Sequence, residues 1–137
     1  DPGAGAALPG HVSCTPLCVA AQDGHHSVVR ALLDAGADKD LANNSGVTPL
    51  YIAAQNGHKA VVRALLDAGA DKDLAKNTGA TPLHIAAQNG HDAVVRALLD
   101  AGAETDPAMH DGATPLYIAA QNGHDAVVRA LLDATSA

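Results

Sequence analysis

Apolar residues fall in two short clusters in every stretch of 33 residues, with polar and glycine-containing segments between them. In one such stretch, Leu50, Ala53 and Ala54 recur at helical spacing. Val61, Val62, Leu65 and Leu66 do so again after a polar break. Thr48 stands where its hydroxyl can accept a bond from a backbone N–H that a first helical turn leaves orphaned. Pro49 follows at the position where a missing N–H costs nothing. A first helix is therefore predicted over residues 49–56, ended by Gly57 in the left-handed conformation. A second is predicted over about residues 59–68, ended in the same way by Gly69. The polar segment that leads into the next stretch reads as a turn.

The period is a true internal repeat. Thr-Pro-Leu begins at Thr15, Thr48, Thr81 and Thr114, each 33 residues after the last. Ala-Gly-Ala closes the first three units at residues 35–37, 68–70 and 101–103. Between residues 48–70 and 81–103, 21 of 23 positions are identical, and residues 15–37 differ from 48–70 at five. The units span about residues 10–42, 43–75, 76–108 and 109–137, after a Gly-, Ala- and Pro-rich stretch at 1–9 expected to be a flexible tail. Isolated helices this short are marginal in water. One helix pair cannot hide seven apolar side chains, so adjacent units must cover one another. The expected fold class is all-α, a solenoid of helix-turn-helix units.

Charge and composition remove several function classes. The net charge of −7 and the even spread of eight Lys and Arg argue against nucleic acid or an anionic membrane as partner. No run of 18 apolar residues predicts a transmembrane helix. Residues 1–10, DPGAGAALPG, lack the pattern of a signal peptide. Two cysteines make no disulfide framework, and the expected setting is reducing and cytoplasmic. Tyr51 and Tyr117 are the only aromatic residues.

Candidate chemistry is sparse. His25, His58, His91 and His124 recur like a row of metal ligands. Equivalent positions of stacked helices lie about 8–10 Å apart, too far to share a zinc ion. Each histidine follows a helix-ending glycine and is expected to hold the loop between its two helices. His11, Cys14, Cys18, His25 and His26 form a denser cluster. The same unit, however, carries Val47, Tyr51 and Ala80 at the two cysteine positions elsewhere, so no metal or other cofactor is expected. Asp34, Asp67, Asp100 and Asp133 each lie four residues after an arginine and read as solvated helix pairs. No nucleophile–base motif, P-loop or GxGxxG occurs, so no enzyme activity is expected.

The hexad Thr81-Pro82-Leu83-His84-Ile85-Ala86 resembles the TPLHxA signature of the ankyrin repeat, at its 33-residue period. Gly90-His91, Leu98-Leu99 and Gly102-Ala103 match as well, and the resemblance runs from about residue 10 to 134. Cys18, Tyr51 and Tyr117 depart from the signature histidine, and Pro107 and Met109 make the third inter-unit loop irregular. The resemblance implies a curved solenoid with β-turn fingers and a concave face of first helices, and a module that binds another protein. Carried over by position, the finger sites are His11, Val12 and Cys14, then Asn44, Ser45 and Val47, then Asn77, Thr78 and Ala80, then His110, Asp111 and Ala113. The first-helix sites are Gln22, Asp23, Gln55, Asn56, Gln88, Asn89, Gln121 and Asn122, with Tyr51, His84 and Tyr117 beside them. A Gln/Asn ladder is a weak set of hot spots, which favour Trp, Tyr and Arg. A scaffold or spacer fragment of a longer array is the rival expectation, and a consensus-like engineered protein another. The two cysteines and the irregular loop at 104–111 favour a natural, duplicated array. Part of the apolar face of the last helix is expected to be exposed, as in a fragment or in end-to-end self-association rather than as a face simply tolerated with local fraying.

Overall fold

A computed structural model describes residues 15–135. Its eight helices are α1 (Pro16–Asp23), α2 (His26–Asp34), α3 (Pro49–Gln55), α4 (Lys59–Asp67), α5 (Pro82–Gln88), α6 (Asp92–Asp100), α7 (Pro115–Gln121) and α8 (Asp125–Thr135). Odd-numbered helices pack on one another in sequence, and even-numbered helices do the same. The result is two parallel layers, with each unit bridging them as an antiparallel helix pair. Among the described residues there is no strand, and no helix is long and apolar enough to cross a membrane.

Local chemistry starts each odd helix at the same place. The hydroxyls of Thr15, Thr48, Thr81 and Thr114 accept the N–H three residues on, at 3.1, 3.1, 3.3 and 3.2 Å. A proline occupies the first turn behind each threonine. Asn56 proves to be the cap residue after α3, and Gly57 beyond it takes φ +74° as expected.

The core is a thin double row between the layers. Leu50, Val61, Val62 and Leu65 of the second unit are buried, and so are Leu83, Val94, Val95 and Leu98 of the third. Ala53, Ala54, Ala86 and Ala87 are fully buried along the odd layer, where small side chains let neighbouring helices approach closely. Each unit therefore owes its burial to its neighbours, the condition for near-additive, nearest-neighbour stability.

The recurring histidines do more than hold their own loops. Each ring reaches back to the unit before it. Nε2 of His58, His91 and His124 lies 3.0, 3.0 and 2.9 Å from the carbonyls of Gln22, Gln55 and Gln88. Each ring also lies close against a glycine of that unit. A Cβ built on Gly57 would stand 2.8 Å from the His91 ring. The loops on the other side are stitched by carboxylates. Asp40 accepts the Asp71 N–H at 2.9 Å, and Asp73 accepts the Glu104 N–H at 2.8 Å.

Candidate protein-binding surface

Three turns, at residues 43–47, 76–80 and 109–113, form fingers two to four. Each is closed by paired backbone bonds, such as Asn43 N–H to the Val47 carbonyl at 3.0 Å and Gly46 N–H to the Asn43 carbonyl at 2.9 Å. Neighbouring fingers are joined in turn. The Asn77 N–H donates to the Ser45 carbonyl at 3.0 Å, and the His110 N–H to the Thr78 carbonyl at 3.1 Å. The fingers are thus one bonded row, pre-organised before any partner arrives. The first finger, with His11, Val12 and Cys14, lies outside the described residues.

The structure sorts the sequence-derived site residues into three groups. Gln22, Asp23, Gln88 and Gln121 are exposed on the odd-helix face, and Gln55 is partly so. Asn44, Ser45, Asn77, Thr78, His110 and Asp111 are exposed along the finger row, with Val47 and Ala113 half-buried behind them. Tyr117 stands out at 61 % exposure.

Asn56, Asn89 and Asn122 form the second group. They are exposed, but their amides already donate to the carbonyls of Gln22, Gln55 and Gln88 at 3.2, 3.0 and 3.4 Å. Three of the eight expected first-helix sites are therefore engaged in joining units.

The third group corrects the expectation. Tyr51, Ala80 and His84 are buried, at 4, 5 and 1 % exposure, so a partner approaching this face meets none of them. The cause is the finger of the next unit, which folds over the first turn of the helix before it. Lys76 Nζ sits 5.5 Å from the Tyr51 ring centroid, a cation–π contact. Burial raises the Tyr51 pKa above 10.0. The His84 Nδ1 accepts the Thr81 N–H at 3.0 Å, which leaves the proton on Nε2 to donate to the Ala113 carbonyl at 3.0 Å. His84 thus ties α5 to the fourth finger. Its pKa is lowered from 6.5, first by burial, against the raising effect of the Ala113 and Pro107 backbone and of Asp111.

One hollow on this side was not legible as a site in the sequence. It measures ≈ 450 Å³ between the fourth finger and α7, and Met109, Asp111, Tyr117, Ile118, Gln121 and Asn122 are among its lining residues. Met109 and Ile118 contribute apolar side chains to a mostly polar lining, and Asp111 a carboxylate. The one signal available was that Met109 breaks the repeat at the position held by Asn43 and Lys76. Of the N-terminal metal-like cluster, His11 and Cys14 lie outside the described residues and Cys18 is buried. Among the described residues no three His, Cys, Asp or Glu side chains converge.

A search of curated proteins found no match to the chain. A family model described as ankyrin repeats (3 copies) matches residues 4–76 and 69–137. Together these segments take in every helix described above, and ankyrin repeats are generally protein–protein interaction modules. With its threonine-capped helix pairs, stacked layers and bonded finger row, this chain belongs to the ankyrin repeat family.

Proposed function

We propose that the chain is a non-enzymatic protein-binding module that holds its partner between the finger tips and the concave odd-helix face. The observation that carries this reading is the hollow of ≈ 450 Å³ where the fourth finger meets α7. It brings an aromatic ring, two apolar side chains and several polar ones together beside the bonded finger row, a combination that can take an anchor side chain of a partner. The glutamine side chains of α3, α5 and α7 extend the same surface along the stack. Each carries a neutral donor and acceptor suited to a peptide backbone or a polar side chain. The rival reading, a scaffold or spacer, draws on the asparagines, whose amides serve the stack itself.

The two readings part in a capture experiment. The immobilised chain and a variant with Gln55, Gln88 and Gln121 changed to Glu are exposed to the same cell extract, and retained proteins are identified by mass spectrometry. A protein held by the first and lost from the second supports a concave-face binding site. Equal retention, or none, sinks that site and leaves the scaffold reading ahead.

A further inference from the structure

The repeat allows one empty surface to be read from filled copies of itself. In the second unit, the outer side of the finger and the Tyr51 ring are covered by the third finger. Lys76 Nζ stands over the ring at 5.5 Å, and the next residue, Asn77, donates its N–H to the Ser45 carbonyl at 3.0 Å. The approach is close: a Cβ on Gly46 would lie 3.0 Å from both Lys76 Cα and Asn77 N. The third unit is covered in the same manner, with His110 N–H on the Thr78 carbonyl and His110 N at 3.0 Å from a Cβ on Gly79.

Among the described residues, nothing covers the same surface of the fourth unit. Gly112, at the position of Gly46 and Gly79, has no atom of the described residues within 4 Å of where a Cβ would stand. Tyr117, at the position of Tyr51, is 61 % exposed. The space between them is a hollow of ≈ 410 Å³ lined by Asp111, Gly112, Ala113, Thr114 and Tyr117. Among its lining residues, Asp111 alone differs from both inner copies. Asp111 places a carboxylate where Ser45 and Thr78 carry only hydroxyls.

We propose that this outer side of the fourth finger docks a loop of a partner protein that presents a lysine or arginine. The cation lies over the Tyr117 ring beside the Asp111 carboxylate, and the N–H of the following residue meets the Asp111 carbonyl. The Lys76–Tyr51 pair is the internal precedent for the ring contact, and the Asn77–Ser45 bond for the backbone register. Charge agrees with the first, since Asp111 is one of the acidic residues that give the chain its net charge of −7 and attract basic partners. A second copy of this chain fits less well. In the register of the repeat it would set Gly10 where Lys76 stands, and Asp23 where Asn56 donates. The Asp23 carboxylate would face the Gln121 carbonyl with no proton to give. The proposal rests on the reading of the chain as a protein-binding module but not on its glutamine row.

The probe is the chain's own third finger as a capped peptide, residues 72–80, beside the same peptide carrying Lys76→Met. Binding to the full 137-residue chain is followed by NMR. Without Phe or Trp in the chain, the Tyr117 ring signals stand apart, and Tyr51 is the internal reference. The expected result is a saturable shift of the Tyr117 ring and the Gly112 amide. Affinity should fall about fivefold for the Met peptide or for the Y117A protein. It should also fall for the D111N protein, and with added salt. The Q55E/Q88E protein should bind the peptide as wild type does, which separates this site from the concave face. Equal binding of the two peptides, or no shift at about 10 mM peptide, overturns the proposal. So does a shift of the Tyr117 signals with concentration of the chain alone, which would assign the surface to a second copy.

Discussion

Replacing Gly57 with alanine probes the junction between the second and third units at its tightest point. Gly57 sits at φ +74°, a conformation that costs an L-residue about 1–2 kcal/mol. The new Cβ would also stand 2.8 Å from Cε1 and Nδ1 of His91, so the ring must move. Overpacking of this kind costs about 1–3 kcal/mol. Gly57→Ala should therefore destabilise the chain by about 3 kcal/mol. His91→Ala removes the ring and its 3.0 Å bond to the Gln55 carbonyl. That carbonyl keeps the Asn89 amide at 3.0 Å and is not orphaned, so the loss should be about 1.5 kcal/mol. In the double variant the clash has no partner, and only the backbone penalty of Gly57→Ala remains. The two changes should then be less than additive by about 1.5 kcal/mol. Urea unfolding followed by far-UV circular dichroism measures all four proteins. Amide exchange in α3 and α4 checks that the loss is centred on this junction, since repeat arrays can unfold in parts. Additivity within about 0.5 kcal/mol would refute the claim that His91 packs on Gly57.

The two tyrosines should behave as different residues despite their identical settings in sequence. Tyr51→Ala empties a buried site and should cost about 3 kcal/mol, whereas Tyr117→Ala should stay within about 0.5 kcal/mol. Equal losses in urea unfolding would show that the covering third finger contributes nothing. His84 predicts a pH dependence. Its folded pKa lies below 6.5, so between that value and 6.5 the unfolded chain binds the extra proton. The contribution is present above 6.5 and is lost as pH falls through the folded pKa. His84→Tyr, the residue found at 51 and 117, should lessen the loss of stability between pH 7.5 and 5.5. An unchanged difference between urea midpoints at those two pH values would count against the buried, neutral ring.

Much of this protein was legible in its sequence because the repeat is an experiment performed four times on one chain. A threonine, a proline, an apolar cluster and a glycine recurring together fix where helices start and stop, and those signals act within a few residues. The demand that units stack was also readable, since no helix pair could bury Leu50, Val62 and Leu65 alone. What the sequence did not reveal was which polar residues the stack consumes. Asn56 and Gln88 are both exposed, yet the Asn56 amide is tied to the preceding unit. His91 also packs on a glycine 34 positions earlier, in the unit before its own. Tyr51 and Tyr117 occupy the same place in the same motif, and only the finger folded over the first makes one a core residue and the other a surface ring. Helix boundaries follow from bonds along the chain and so belong to the sequence alone. Exposure follows from contacts between units, and a contact exists only where the neighbouring unit stands.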